Sequence, residues 1–340
     1  MSKKINVAIN GFGRIGRAVL KIILEKHPNL KVVAINDLAD TDSLAYLLKY
    51  DSVYGVYDKD IKAFKESLKV GKEKIKVFSD KEPENLPWQE LKVDVVLECT
   101  GFFRTKEKAL KHVKAGAKKV IISAPYKGDE YINTVVMGVN EKSLRKSDKI
   151  VSCASCTTNC LAPVTEIIRK NFGIKKSIMT TVHAYTATQN ILDGSQKDYR
   201  RGRAGAINLV PTTTGAAKAT TKVIPELIDK MDGIAVRVPV PVGSLVDATY
   251  VLKKKTEVDI VKKTFIKEQD SKQFKGIVLA SEEELVSSDI VGSSFSSIVD
   301  LPFIQVIEGD LLKVLAWYDN EWGYSSRLAD LCSLLGRKYI

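Results

Sequence analysis

Cysteine and histidine are scarce in this chain, with five and three among 340 residues. The cysteines are Cys99, Cys153, Cys156, Cys160 and Cys332. Their number is odd and the chain is no small secreted scaffold, so a disulfide framework is not expected. Cys153 and Cys156 have the CxxC spacing of zinc and redox sites. A structural zinc needs four Cys or His ligands, however, and His27, His112 and His183 all lie away from that cluster in sequence, so no metal is expected. Long apolar runs are also missing; none reaches the roughly 18 residues of a membrane span. Met1-Ser2-Lys3-Lys4 leads straight into an apolar strand pattern with no hydrophobic signal core, so cytoplasmic residence without a membrane partner is the expectation. There is no internal repeat and no low-complexity linker.

Acidic residues are outnumbered, 41 against 53 Lys and Arg, for a net charge of +12. That balance favours anionic partners such as phosphorylated metabolites. Much of it is lysine at helix-like spacing, including Lys106, Lys111, Lys114 and Lys118, which reads as a solvated face. No RNP, KH or zinc-finger pattern is present, so nucleic acid is not expected as the main partner. With 44% hydrophobic and 28% charged residues the chain has a globular composition, and its length suffices for two domains.

The first 150 residues alternate apolar strands with helical patterns. Ile5–Asn10 reads as a strand and Arg14–Lys26 as a helix with Ile15, Val19, Ile22 and Ile23 on its apolar side. Further strands are predicted at 32–36, 93–99 and 120–123, with a helix over 106–115. This is the texture of βαβ units on a parallel sheet. Beyond about residue 155 the strands lengthen, at 177–182, 234–238, 244–252, 275–280 and 313–318. Helices are expected at 222–230 and 258–267, which makes this half α+β with a mixed or antiparallel sheet. Tyr324, Leu328, Leu331 and Leu335 mark a closing amphipathic helix. The fold class is therefore α/β, a Rossmann-type domain of residues 1–155 joined by a C-terminal helix 322–340, plus a second domain of residues 156–321. A polar stretch, 184–208, carries Arg200, Arg201 and Arg203 without periodicity; a loop of that length inside a compact domain usually has a function.

Gly11-Phe12-Gly13-Arg14-Ile15-Gly16 follows a predicted strand, opens a predicted helix, and is followed by Asp37 at the end of the next strand. That context is what a dinucleotide fingerprint requires. The glycines let the backbone approach a pyrophosphate on the helix N-terminus, and Asp37 would accept from the adenosine ribose hydroxyls. A carboxylate there repels a 2′-phosphate, which favours NAD over NADP.

In the second half, Ser155-Cys156-Thr157-Thr158-Asn159-Cys160 offers Ser155 as a helix N-cap and Cys156 at a helix N-terminus. The dipole there, and a nearby imidazole, would lower the thiol pKa. His183, at the end of a predicted strand, is the candidate imidazole. Cys160, one turn on, reads as a small buried residue. Pro163 is expected to kink this helix. A thiol nucleophile together with a hydride acceptor points to aldehyde oxidation through a thioester.

Five segments, Ser155–Pro163, His183–Thr186, Thr214–Lys218, Arg237–Pro239 and Trp317–Ser325, closely resemble the phosphorylating glyceraldehyde-3-phosphate dehydrogenase family, and the likeness runs from Ile5 to the C-terminal helix. The resemblance implies Cys156 as nucleophile and His183 as its base. It implies Thr186 and Arg237 as ligands of the substrate's C3 phosphate or as helpers of the inorganic phosphate, and Ser155, Thr157, Thr214 and Gly215 as the site of the attacking inorganic phosphate. On the cofactor side it implies Gly11, Gly13, Arg14, Ile15, Gly16, Asp37, Lys81 (in place of the usual Arg), Thr100, Ser123, Asn320 and Tyr324. It also implies glyceraldehyde 3-phosphate as substrate and a homotetramer, with the 184–208 loop reaching toward a neighbour.

Some residues depart from the family's pattern. Cys153 stands where Asn is usual. Ser195 is typical of NADP-using relatives, whereas Leu38 beside Asp37 points to NAD, so the expectation is NAD with NADP use possible. Tyr54 and Arg104 also differ from common family residues. Two alternatives stand beside the main reading: an erythrose-4-phosphate dehydrogenase, whose thioester is attacked by water, and a basic nucleic-acid- or partner-binding protein on the same fold.

Overall fold

The computed structural model describes residues 4–340. The chain divides into two compact units. The first comprises the chain up to Val135, Lys142–Ala154 and Ser325–Ile340; the second comprises Val136–Glu141 and Ser155–Tyr324.

The first unit is built on a nine-stranded sheet. Its order is Asn133–Thr134, Ile150–Ser152, Lys119–Ile122, Val95–Glu98, Ile5–Asn10, Leu30–Asn36, Glu73–Phe78, Ser67–Val70, Ile61–Phe64. Pairings are parallel as far as Glu73–Phe78 and antiparallel beyond it. The parallel strands are apolar because helices cover both faces of such sheets. Ala8, Ala34, Val96, Val120, Ile122 and Trp88 form one buried cluster. Each large aliphatic side chain buried there contributes about 1.5–3 kcal/mol relative to exposure. The chain leaves Ile5–Asn10 toward Leu30–Asn36 on one side and later returns to Val95–Glu98 on the other. The order therefore reverses at the carboxyl end of Ile5–Asn10, where open α/β sheets bind ligands. The helix Arg14–Lys26 starts there, and Gly16 lets it pack close, since a Cβ at that position would lie 2.2 Å from the carbonyl oxygen of Gly11.

The second unit carries an eight-stranded mixed sheet. Ile174–Ala184 pairs in parallel with Met231–Val238 and antiparallel with Ser244–Leu252, which in turn pairs antiparallel with Leu311–Tyr318. Ser244–Leu252 alternates strictly, with Val246, Ala248, Tyr250 and Leu252 buried and the residues between them half-exposed. The α/β class, with a mostly parallel sheet and a mixed sheet, is thus the fold observed.

Two local expectations change, and a third element bears on the site. The helix expected over 222–230 is instead Ala216–Val223, followed by a 3₁₀ turn Pro225–Leu227. Pro225 has no N–H to continue the ladder and drives the preceding residue out of the helical region. Pro163, where a kink is expected, lies inside a helix that runs without a break over Cys156–Phe172. That helix is buried along nearly its whole length, so packing holds it where local propensity would weaken it. Finally, the antiparallel strands between residues 61 and 78 are Lys-rich and partly exposed, and were not anticipated. Between Ala184 and Val210 no helix or strand is present, and Asp193 holds that loop by accepting from Arg203 Nε at 2.9 Å and Ala204 N–H at 2.9 Å.

Candidate active site

At the switch point of the first unit lies a cavity of about 440 Å³, lined by Gly11, Gly13, Asp37, Lys81, Thr100 and Phe102 among others. Gly11 has φ 90°, and a Cβ there would lie 2.7 Å from Thr100 N, so only glycine fits. Gly13 caps the helix Arg14–Lys26 without a side-chain hydrogen bond, no acidic residue occupies the first turn, and nothing lies within 4 Å of a Cβ built at Gly13. An anion suits such an open helix N-terminus. Asp37 is half-buried; its Oδ2 accepts from Phe12 N–H at 2.7 Å and its Oδ1 from Ala39 N–H at 3.0 Å. The carboxylate is thereby fixed at the cavity rim with lone pairs left for hydroxyl donors. A glycine turn, an open helix N-terminus and a carboxylate one strand over together fit a dinucleotide.

Arg14, Ile15, Gly16 and Ser123 do not line this cavity. The Arg14 guanidinium is drawn to Asp51 at 2.7 Å and lies over the Tyr54 ring, 5.5 Å from its centroid. Tyr54 therefore acts as the platform for Arg14, a cation–π contact that accounts for one of the unusual residues. Ser123 N–H donates to Glu98 O at 2.9 Å, and its hydroxyl bonds the Cys99 thiol, which burial pushes up to about 12. Nothing in the structure explains Arg104. Asn10, Asn36 and Phe103 also line the cavity and escaped the sequence reading. The available signal was a polar residue ending each of two apolar strands.

The second unit holds the thiol. Ser155 caps Cys156–Phe172 as expected, its hydroxyl accepting from Thr158 N–H at 3.1 Å. Cys156 is the first helical residue, and its Sγ lies 3.4 Å from His183 Nε2. The parallel register sets His183 opposite Arg237. Arg237 Nη1 comes within 2.7 Å of His183 Nδ1, and that nitrogen is also 2.7 Å from the carbonyl oxygen of Ala184. The ring is fixed further by the edge of Tyr318, 6.0 Å away between centroids. Tyr318 OH is in turn bonded to Thr157 Oγ1 at 2.8 Å and Thr181 Oγ1 at 2.9 Å. The Thr157 hydroxyl is thus turned inward, within reach of the Cys156 sulfur.

Electrostatics differ from the sequence expectation at the thiol. Burial holds the Cys156 pKa above its ordinary value; the Arg237 charge and the bonds from Thr157 pull it down without overcoming burial. His183 is buried and beside Arg237, which lowers its pKa to about 3. Both shifts run in the same direction, disfavouring the thiolate and the imidazolium alike.

Around this pair, Arg201 adds a second cationic charge felt by both His183 and Arg237. Its Nε donates to Thr212 Oγ1 at 3.0 Å, and the sequence reading had placed it only in an unassigned loop. Thr186 Oγ1 bonds Thr188 Oγ1 at 2.8 Å. Thr214 Oγ1 accepts from Ala216 N–H at 3.2 Å, and Gly215 caps the helix Ala216–Val223 without a side chain. Asn320 is buried, and its Oδ1 accepts from Ser244 Oγ at 2.9 Å, which leaves its amide nitrogen as a donor. Tyr324 is buried at the start of the closing helix Trp322–Tyr339.

Two family models match this chain. One, described as the NAD binding domain of glyceraldehyde 3-phosphate dehydrogenase, covers residues 5–106; the other, described as the C-terminal domain, covers residues 155–320. The chain is 52% identical over 330 residues to the glyceraldehyde-3-phosphate dehydrogenase of Thermotoga maritima, covering 97% of this chain and 98% of that one. It is 48% identical over 335 residues to that of Streptomyces coelicolor, covering 98% and 99%. It is 50% identical over 339 residues to glyceraldehyde-3-phosphate dehydrogenase 2 of Trichormus variabilis, covering 99% and 100%. With a thiol–imidazole pair on one unit, a dinucleotide cavity on the other and matches across both, the chain belongs to the glyceraldehyde 3-phosphate dehydrogenase family of NAD-binding oxidoreductases.

Proposed function

We propose that this chain oxidises glyceraldehyde 3-phosphate to 1,3-bisphosphoglycerate, using NAD as hydride acceptor and inorganic phosphate as the second nucleophile. The observation that carries the reading is the 3.4 Å approach of Cys156 Sγ to His183 Nε2, with the far side of the ring held by Ala184 and Arg237. In this reading Arg237 Nη1 donates to the Ala184 carbonyl at 3.0 Å, and the ring takes the tautomer with its proton on Nδ1, shared with the same carbonyl, so that Nε2 is the acceptor facing the thiol. As sulfur adds to the aldehyde carbon, the thiol proton passes to Nε2, and the resulting imidazolium donates to the new oxyanion. Bound NAD supplies the hydride acceptor for the carbon of that hemithioacetal. The hydroxyl proton of the hemithioacetal leaves through His183, and a thioester remains on Cys156. Attack by phosphate then releases the acyl phosphate and returns the thiol.

Two anions must be held, and the cationic and donor groups available are Arg237, Arg201, Thr186, Thr214 and the helix N-terminus at Gly215. We assign Thr186 and Arg237 to the substrate phosphate, and Ser155, Thr157, Thr214 and Gly215 to inorganic phosphate. For Thr157 the backbone N–H is the assigned donor, because its hydroxyl faces Tyr318 and the sulfur. Residues 1–155 and 322–340 form the cofactor domain in this reading, and residues 156–321 the catalytic one. The relatives' names favour the three-carbon substrate over erythrose 4-phosphate.

A homotetramer is part of the proposal. One face of the second unit's sheet carries Ile178, 65% exposed, and Ile234, 53% exposed, and the 185–209 loop presents Ile191, Leu192, Tyr199 and Ile207. Apolar surface of this kind is normally covered by a partner, and a second copy is the partner proposed. No helix among the described residues is long and apolar enough to cross a membrane.

The test is the absorbance of reduced nicotinamide with glyceraldehyde 3-phosphate and NAD, with and without phosphate. Sustained turnover is expected only with phosphate present. A steady rate indifferent to phosphate would overturn acyl-phosphate formation and favour an acid-forming oxidation.

A further inference from the structure

A chain of buried polar side chains runs beneath the dinucleotide cavity and takes no part in the chemistry above. Glu98, at the end of its strand, is 1% exposed. Its Oε1 accepts from Thr100 N–H at 2.8 Å and also from the Thr100 hydroxyl. Its Oε2 accepts from Asn10 Nδ2 at 2.5 Å and lies 3.1 Å from His112 Nε2. Asn10 Oδ1 in turn accepts from Asn36 Nδ2 at 2.7 Å. Asn36 then closes a reciprocal pair with the backbone of Asp80, Nδ2 to Asp80 O at 2.9 Å and Asp80 N–H to Oδ1 at 3.0 Å. One continuous line thus ties together the ends of four adjacent strands, and Thr100, Asn10, Asn36 and Asp80 all line the cavity.

The proton positions follow from one donor. Trp88 Nε1–H, which can only donate, lies 3.1 Å from His112 Nδ1. With Nδ1 accepting from Trp88, His112 carries a proton on Nε2 and donates it to Glu98. Every partner of Glu98 is then a donor, and the group that satisfies all of them is an acceptor-only carboxylate. The two residues it holds border the close approach where Gly11 meets the Cys99-Thr100 turn.

We infer that Glu98 is a positioning residue for the dinucleotide, clamping the glycine turn to the Thr100 turn, with His112 and Trp88 fixing the carboxylate from behind. The inference rests on the cavity being the NAD site. Glu98→Gln keeps the shape of the side chain but puts an N–H where donors already point, whichever way the amide sits. Neither turn is then pinned, and the cavity must be ordered by the ligand at a cost in affinity.

The test is calorimetric titration of NAD into the full-length protein and its variants. Glu98→Gln is expected to raise the Kd for NAD about tenfold or more, the scale of one misplaced charge-assisted hydrogen bond. The KM for glyceraldehyde 3-phosphate and the alkylation rate of Cys156 are expected to stay within about twofold, since neither depends on this floor. Should Glu98→Gln fold poorly, His112→Phe serves: His112 does not line the cavity, and the new ring preserves packing against Phe103. It is expected to weaken NAD several-fold, roughly, through loss of one donor to Glu98, whereas His112→Gln, which can donate to Glu98 and accept from Trp88, restores binding. Wild-type affinity in both Glu98→Gln and His112→Phe would overturn the inference. A wild-type protein that fails to bind NAD would overturn the reading of the cavity, and the inference with it.

Discussion

Cys156→Ser is expected to lower kcat by on the order of 10⁴-fold or more while leaving NAD binding intact. A serine hydroxyl at this position has the same helix N-terminus and the same His183 facing it, but its pKa lies far above that of a thiol and its oxygen is a poorer nucleophile. The ester it would form is also a worse acyl donor to phosphate than a thioester. Cys153 does not substitute for the loss, because it is buried, only 1% exposed. The measurements are steady-state reduction of NAD and calorimetric titration of NAD into the same preparation. Residual activity within about tenfold of wild type would show that another group carries the acyl chain.

His183→Asn is expected to lower kcat/KM by about 10²–10⁴-fold, the range for losing a positioned general base. The same variant separates two accounts of how the thiol is activated. If a permanently charged imidazolium stabilised a thiolate, alkylation of wild-type Cys156 would be fast and flat across neutral pH, because the paired thiol would titrate well below its ordinary value. Here His183 stays neutral down to about 3 and Cys156 sits above its ordinary 9.0. The alkylation rate is therefore expected to climb close to tenfold per pH unit between about pH 6 and pH 8, without an inflection near 6.5. A plateau across that interval in wild type, lost in His183→Asn, would contradict the neutral-pair account. The sign follows from the surroundings: burial and the Arg237 charge both disfavour the imidazolium. The charged ring is then reached only while sulfur adds to the aldehyde, when the oxyanion compensates it.

The parts of the fold written in local periodicity were readable. Ile5–Asn10 and Arg14–Lys26 occur as anticipated to the residue, because a buried parallel strand and an amphipathic helix each impress a period on the sequence. Ser155 as cap and Cys156 as first helical residue were equally local. What depended on pairing between distant strands was not readable from spacing. The register that sets Arg237 beside His183 joins positions 54 apart, and only the family resemblance singled out Arg237 beforehand. The direction of the thiol shift was missed for the same reason: it turns on burial and on a guanidinium brought in by the sheet, not on the helix end alone. The floor under the cavity lay in plain view as Asn10, Asn36 and Glu98 ending apolar strands. Its meaning appears only when four strand ends are brought side by side.

The central claim is that Cys156 carries the oxidised acyl group until phosphate removes it. The most direct measurement mixes enzyme with glyceraldehyde 3-phosphate and NAD in phosphate-free buffer, following reduced nicotinamide and the mass of the Cys156 peptide together. The account predicts a burst of about one reduced nicotinamide per Cys156, an acyl group on that peptide, and release of the group when phosphate is added. Continued turnover without phosphate, or an acyl group on any other residue, would contradict it.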